Sequence, residues 1–208
     1  YLGIDLGTTG LKAVIADARG SIQGIGYREY PLNVPAANYA EQDPAQWYEA
    51  MCLAISDVLG KTGIHAADIR CLGFSGQMHG LVMLDENNEV LRPSIIWCDQ
   101  RTAKECDEIH EKVGKEKLIS ITANPALTGF TLSKILWVRN NEPDVYAKCR
   151  HILLPKDYVR FMLTGDYATE VSDASGMQLL DVPNRCWSDE LLQILDIDKS
   201  MLAKVYES

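Results

Sequence analysis

A glycine- and threonine-rich turn near the start of the chain is the first segment whose residues could do chemistry. The segment Leu6-Gly7-Thr8-Thr9-Gly10 follows a short apolar run that ends in Asp5. Glycines tolerate positive φ and leave backbone N–H groups uncovered, so such a turn can gather several amides around a phosphate. The Asp5 carboxylate could hold a magnesium ion through water, because this ion prefers oxygen ligands and keeps part of its hydration shell. From these residues alone, a plain hairpin with a polar tip explains the segment equally well.

A second group of chemically useful side chains follows two later strand-like runs. Ile69 to Phe74 leads into the segment Ser75–Gly80, and Pro93 to Trp97 leads into Cys98–Arg101. Amide, imidazole, carboxylate and guanidinium groups can read sugar hydroxyls, while thioether and indole surfaces can pack on the C–H face of a sugar. A histidine in a turn and a tryptophan in a core are the ordinary alternatives. The candidate sugar-binding side chains are Gln77, Met78, His79, Trp97, Asp99 and Arg101.

The elements around these segments predict an α/β fold. The apolar runs Tyr1–Ile4, Leu11–Ala16 and Ser21–Tyr30 are separated by tight turns, which predicts an antiparallel meander. A helix should begin at Pro44 with Asp43 as its N-cap. Since ligands of α/β sheets bind outside the carboxyl ends of strands, we expect the polar segments Ser75–Gly80 and Cys98–Arg101 to share one sheet edge.

The second half of the chain is predicted to be mostly helical. Helical spacing covers Lys115–Ala123, Thr131–Asn141 and Lys156–Leu163, and Ser188 should cap a last helix. Thr169–Gly176 is predicted to be a polar turn. Its Asp173 has the chemistry of a catalytic base, but an aspartate that hydrogen-bonds its own turn is the simpler interpretation.

Composition and charge exclude several classes of function. The net charge of −9 argues against nucleic acid and anionic membrane surfaces as partners. No apolar run reaches membrane-spanning length, and no secretory leader opens the chain. Six scattered cysteines form no CxxC pair, which is typical of reduced thiols in a cytoplasmic protein.

With these residues laid out, the chain resembles the amino-terminal domain of the FGGY carbohydrate kinases. The turn segment is shared with the whole actin/hexokinase/heat-shock ATPase superfamily, whereas the later segments are more specific. They follow the family's order over nearly all of the 208 residues. The matching segments are Gly3–Thr9, Gly76–Gly80, Ile96–Thr102, Leu153–Tyr158 and Ser172–Gly176.

The resemblance implies a ribonuclease H-like fold of the actin/hexokinase type, with a mixed sheet, antiparallel first strands and flanking helices. Residues 1–208 would be most of the sugar-binding N-terminal domain, truncated, and the C-terminal ATP-binding domain would lie outside the chain. We also expect a small-molecule sugar as partner and leave the oligomeric state open, with a homodimer among the options.

The resemblance further implies ATP-dependent phosphorylation of D-xylulose to D-xylulose 5-phosphate, with ATP and Mg²⁺ as cofactors. Asp5 would position magnesium, and the transferred phosphoryl group would face Gly7, Thr8, Thr9 and Lys12. Met78 and His79 stand where such kinases touch the sugar, and the same pocket would be lined by Gln77, Trp97, Asp99 and Arg101.

One departure from the family concerns the proton acceptor. The family's catalytic base is an aspartate in a glycine-rich turn that this chain lacks, and Asp173 belongs to a different family segment. We therefore expect the general base beyond Ser208 and no turnover by the isolated fragment. The alternatives are a kinase for gluconate, ribulose or glycerol, and a non-catalytic sugar-binding or actin-like module on the same scaffold.

Overall fold

The computed structural model describes all residues from 1 to 208, and its secondary structure comprises twelve strands and eight α-helices. The strands are β1 (Leu2–Leu6), β2 (Gly10–Ala16), β3 (Ile22–Glu29), β4 (Glu41–Gln42), β5 (Leu72–Gly76), β6 (Val82–Leu84), β7 (Ser94–Ile95), β8 (His151–Leu153), β9 (Ala168–Glu170), β10 (Leu180–Asp181), β11 (Cys186–Trp187) and β12 (Lys204–Tyr206). The helices are α1 (Pro44–Thr62), α2 (Ala103–Val113), α3 (Lys115–Thr122), α4 (Thr131–Asn141), α5 (Pro143–Lys148), α6 (Pro155–Thr164), α7 (Val171–Ser175) and α8 (Asp189–Leu195).

The main sheet has four strands in the order β3-β2-β1-β5. Tight turns join β1, β2 and β3 as antiparallel neighbours, which confirms the predicted meander. Strand β5 then pairs parallel to β1, with Asp5 opposite Ser75 and Leu6 opposite Gly76. The carboxyl ends of β1 and β5 therefore lie side by side. Strand β1 is followed by the glycine- and threonine-rich turn, and β5 is followed by the residues Met78 and His79.

Helix α1 covers one face of this sheet. As predicted, Pro44 opens the helix and the Asp43 carboxylate accepts a hydrogen bond of 2.9 Å from the Ala45 amide. The packing is close, because a Cβ atom at Gly26 would lie only 2.1 Å from the Ala54 carbonyl oxygen. Glycine at this position lets helix and strand approach each other.

Three sequence predictions about local structure are wrong. The run Ile69–Phe74 is not a buried strand: β5 begins at Leu72, and none of its residues is fully buried, because β5 is an edge strand with a neighbour on one side only. The segment Thr169–Gly176 is not a loop but the end of β9 followed by the short helix α7. The segments Ser75–Gly80 and Cys98–Arg101 do not lie at the edge of one sheet, since β7, which precedes the second segment, pairs with β4 and not with the main sheet.

Two hydrophobic clusters form the interior. One lies between the main sheet and α1, and the other lies among the helices of the second half of the chain, chiefly α2, α4 and α8. Strands β6 and β8 contribute side chains to both clusters, which joins the two halves. No helix is both long enough and apolar enough to cross a membrane.

Candidate active site

The turn between β1 and β2 presents unused backbone donors. The Gly7 amide closes the turn by donating to the Gly10 carbonyl at 3.1 Å, whereas the amides of Thr8 and Thr9 donate to no acceptor in the chain. Cβ atoms at Gly7 and Gly10 would lie 2.9 and 2.6 Å from backbone oxygens, so both positions require glycine. Two free amides at the tip of a glycine turn are suited to an anion such as phosphate.

Side chains from three other segments hold this turn in place. The Gln42 amide donates to the Thr8 carbonyl at 2.7 Å, and the Trp97 indole donates to the Thr8 hydroxyl at 2.8 Å. The Tyr30 hydroxyl donates to the Gly7 carbonyl. The turn is therefore preorganised before any ligand binds.

Charged side chains flank the turn on the exposed face of the hairpin. Asp5 and Lys12 are opposite each other in the register of β1 and β2, and both are exposed. They line a hollow of about 340 Å³ together with Gly7, Thr8, Thr9, Gly10 and Tyr27. No three His, Cys, Asp or Glu side chains are grouped to hold a metal ion. A single carboxylate fits magnesium, which is commonly held by one or two carboxylates, water and substrate phosphates.

A second hollow, of about 390 Å³, adjoins the first and connects the turn to the segment Gly76–Gly80, which contains Met78 and His79 and is called the Met-His segment. Asp5, Gly7 and Thr8 line both hollows. The second hollow is lined in addition by Leu6, Gly76, Gln77, Met78, His79 and Trp97. The structure thus brings the turn, the Met-His segment and Trp97 together. The turn and the Met-His segment follow neighbouring strands of the main sheet, whereas Trp97 follows β7 of another sheet and reaches across to the hairpin.

His79 stands in this hollow in an unusual backbone conformation. Its φ angle is 64°, a left-handed value that is uncommon outside glycine, and its ring packs on Phe130 with 4.4 Å between centroids. Burial, together with the nearby Lys134 ammonium, lowers the pKa of His79 to about 4, and Asp173 opposes this shift. The imidazole is therefore neutral at pH 7 and offers one hydrogen-bond donor and one acceptor.

Apolar and amide groups complete the lining. Met78 and Trp97 are 48% and 46% exposed, so large apolar surfaces face the opening. Gln77 is buried and donates to the Gln42 side-chain oxygen at 2.9 Å, while its own side-chain oxygen has no partner. This arrangement can pack on the C–H face of a polyol and read its hydroxyls.

Asp99 and Arg101 do not line either hollow. Both side chains are buried, and the guanidinium pairs with Asp99 and with Glu41, each at 2.7 Å. Arg101 also stacks on Tyr39 at 3.7 Å from the ring centroid, and Asp99 accepts a 2.6 Å hydrogen bond from the Ala40 amide. These residues support the segment that carries Trp97 instead of facing a ligand, which corrects the expectation that they line the pocket.

Asp173 does not hydrogen-bond its own turn. Its carboxylate pairs with Lys156 at 2.6 Å, and Glu170 accepts the amides of Ser172 and Asp173 at the start of α7. An aspartate in a tight ion pair is a weak candidate for a proton acceptor.

Three residues of the site were not found from the sequence. Gln42 bridges the turn and Gln77, Lys134 contacts the backbone of His79, and Gly176 packs against the His79 ring. Lys134 left a detectable signal, because it interrupts an apolar run within α4. Gln42 left none, since its contacts depend on long-range packing. Gly176 belongs to the family segment Ser172–Gly176, but nothing in the sequence relates it to the His79 ring.

Size does not single out the site. A hollow of about 440 Å³ beside Tyr1 is larger and is also lined by polar side chains, namely Asp17, Gln23, Asp68 and Arg70, but it contains none of the candidate site residues predicted from the sequence. The candidate phosphate-binding and sugar-binding residues come together only where the turn, the Met-His segment and Trp97 meet.

Comparison with known proteins shows the family to which the chain belongs. Residues 1–208 match the family model of the FGGY family of carbohydrate kinases, N-terminal domain. The chain is 42% identical over 207 residues to a xylulose kinase of Lactococcus lactis subsp. lactis (strain IL1403), covering 100% of this chain and 41% of that protein. It therefore spans about two fifths of the length of such relatives.

Solved structures agree with the fold. The structure of a xyloylose kinase from Brucella ovis matches with a TM-score of 0.95 and 39% identity, covering 100% of this chain and 43% of that chain. The structure of a gluconate kinase from Lactobacillus acidophilus matches with a TM-score of 0.92 and 30% identity, covering 99% of this chain and 41% of that chain. The expected mixed α/β fold of the actin-like ATPases is confirmed. Since the family model matches from end to end, the chain belongs to the FGGY family of carbohydrate kinases.

Proposed function

We propose that the full-length protein containing this chain transfers a phosphoryl group from ATP to the terminal hydroxyl of D-xylulose, giving D-xylulose 5-phosphate. The observation that carries this proposal is the pair of adjoining hollows, in which the glycine turn and the Met78-His79 segment share one opening. The similarity to a xylulose kinase supports the choice of sugar. Six free cysteines are consistent with a reaction in the reducing cytoplasm.

The hairpin would bind the phosphoryl group that is transferred. The free amides of Thr8 and Thr9 would face its oxygens, and Lys12 would supply a positive charge. Asp5 would hold magnesium through water. When bound, this ion neutralises charge on the phosphates, and the chain's own contribution is to position the reactants.

The second hollow would bind the sugar. The exposed surfaces of Met78 and Trp97 would pack on its carbon skeleton, while the neutral His79 imidazole and the free Gln77 oxygen would bind hydroxyls. Asp5 is the only carboxylate in the lining and is assigned to the metal. We therefore assign the proton acceptor to the part of the protein outside this chain.

Gluconate is the second candidate substrate, because a solved structure with 30% identity is that of a gluconate kinase. The lining of the sugar hollow contains Asp5 but no lysine or arginine, so the carboxylate of a sugar acid would find no cationic partner there. This charge pattern favours a neutral ketose.

A coupled assay of the full-length protein with ATP and Mg²⁺ tests the proposal. We expect turnover of D-xylulose and at least tenfold lower kcat/KM for gluconate, ribulose and glycerol. The Asp5→Asn variant should lose most of this turnover. Preferred turnover of gluconate would overturn the substrate assignment, and no turnover of any sugar or polyol would favour the non-catalytic alternative.

A further inference from the structure

Lys134 is a buried cation that the proposed reaction leaves unexplained. It lies on α4 with no exposed surface, whereas lysines are almost never fully buried unless they are paired. No carboxylate forms an ion pair with it: its Nζ atom donates to the carbonyls of His79 at 2.7 Å and of Gly129 at 2.6 Å. Such placement calls for a reason other than ordinary packing.

One of the two carbonyls belongs to a residue that lines the sugar hollow, and the other lies beside the backbone of a second lining residue. His79 is part of the segment after β5, and its carbonyl also accepts a hydrogen bond of 3.1 Å from the Thr131 hydroxyl. Gly129 lies beside the Trp97 backbone, because a Cβ atom at this glycine would be 3.0 Å from the Trp97 carbonyl oxygen. The Lys134 side chain thus links the backbone of His79 to the backbone of Gly129, which lies beside Trp97.

The His79 backbone needs such a support. A left-handed φ of 64° is unfavourable for a residue with a bulky side chain and persists only when neighbouring contacts fix it. The donors on α4 hold the peptide that follows His79, and this peptide sets the direction in which the imidazole points. Loss of the stronger donor should allow the ring to move.

We propose that Lys134 is a positioning residue of the sugar site, which holds His79 and the support of Trp97 at a fixed separation through their backbone carbonyls. This role deepens the proposed function and rests on it. It does not involve the phosphate hairpin, which Lys134 does not contact.

The charge of Lys134 is set by its surroundings. Burial lowers the pKa of Lys134 to about 7, while Asp99 and Cys98 raise it and Arg101 lowers it. A lysine amine donates hydrogen bonds in both protonation states, so the tie between the two carbonyls is kept across neutral pH.

The Lys134→Met variant of the full-length protein tests the role, because methionine is unbranched and apolar and has no donor. We expect KM for D-xylulose to rise about tenfold and KM for ATP to stay within twofold. Ser133→Ala is the matched control: Ser133 is also buried on α4 and hydrogen-bonded to Thr102, but it does not touch His79. This control should keep both KM values within twofold.

Two further variants keep the test open if Lys134→Met does not fold. Thr131→Val removes the longer hydrogen bond to the same carbonyl and should raise KM for D-xylulose by a smaller factor, about threefold. Lys134→Gln retains an amide donor and should recover part of the sugar affinity. Unchanged KM for D-xylulose in Lys134→Met, or a rise no larger than in Ser133→Ala, would overturn the proposal.

An NMR measurement separates this inference from the choice of substrate. The imidazole signals of His79 can be assigned by substitution of this residue in the full-length protein. These signals should shift in Lys134→Met and stay in place in Ser133→Ala, without any ligand. Unshifted signals in both variants would refute the positioning role even if D-xylulose is the substrate. Shifted signals in a protein that does not act on D-xylulose would refute only the substrate assignment.

Discussion

His79 shows how a single residue can be tuned by its surroundings. Burial against Phe130 and the nearby Lys134 keep its pKa at about 4, so the imidazole is neutral throughout the physiological range. A neutral ring can donate to one sugar hydroxyl and accept from another. Charged histidine could only donate, so the burial of this ring has a direct chemical consequence.

The lowered pKa of His79 predicts a specific pH dependence of stability. Between pH 6.5 and pH 4 the unfolded chain binds a proton at this residue and the folded chain does not, so the free energy of unfolding falls as the pH falls. His79→Asn, which tolerates a left-handed backbone, should remove about 1 kcal/mol of this loss, given partial solvent screening of the ring. Urea unfolding at pH 7 and pH 5 measures the difference.

His65→Asn serves as the control for this measurement, because His65 is exposed and lies outside the hollow. It should follow the pH dependence of the unsubstituted protein. Equal loss of stability in all three proteins on acidification would show that His79 is protonated in the folded state.

Residue types predicted the segment that lines the second hollow but not the orientation of every side chain. Met78, His79 and Trp97 face the hollow, as expected from the sequence. Asp99 and Arg101 looked equally suited to sugar hydroxyls, yet they pair with each other in the interior. A single sequence does not distinguish a charged residue that binds a ligand from one that pairs with an opposite charge after long-range packing.

At the scale of elements, the end of helix α7 packs against the His79 ring. A Cβ atom at Gly176, the residue that follows α7, would lie 2.3 Å from Cδ2 and Nε2 of the imidazole. Gly176 has an ordinary right-handed backbone, so its importance is steric and not conformational. The end of α7 therefore limits the positions that the imidazole ring can occupy.

Gly176→Ala should displace the His79 ring and weaken the binding of D-xylulose about tenfold, while the chain still folds. Isothermal titration calorimetry of the full-length protein measures this affinity. Gly60→Ala is the control, because a Cβ atom at Gly60 on α1 meets no neighbour and alanine favours a helix. If Gly176→Ala and Gly60→Ala bind the sugar equally well, the His79 ring is not part of the binding site.

Elements governed by local signals were predictable, and those governed by pairing were not. The cap at Asp43 and the turns of the meander depend on residues that are close in sequence, and both are present in the structure. The segment Thr169–Gly176 looked like a turn because its residues are polar. It forms a strand end and a short helix because β9 pairs with β12, more than thirty residues later in the chain.

At the scale of the whole molecule, two separately packed halves meet around the candidate site. The main sheet supplies the turn between β1 and β2, and the helical half supplies Lys134 and Gly176 behind the Met-His segment. The family resemblance predicted that the turn and the Met-His segment meet, and the strand ends predicted that Ser75–Gly80 and Cys98–Arg101 meet. No local pattern relates residue 8 to residue 97. Long-range contacts such as the Trp97–Thr8 hydrogen bond create the shared opening.

A crystal structure of the full-length protein with D-xylulose and a non-hydrolysable ATP analogue tests this account most directly. We predict the terminal phosphoryl group at about 3 Å from the amides of Thr8 and Thr9, and the sugar packed on Met78 and Trp97 with a hydroxyl bonded to His79. A sugar bound away from these residues, or a hairpin whose amides face no phosphate, would contradict the account.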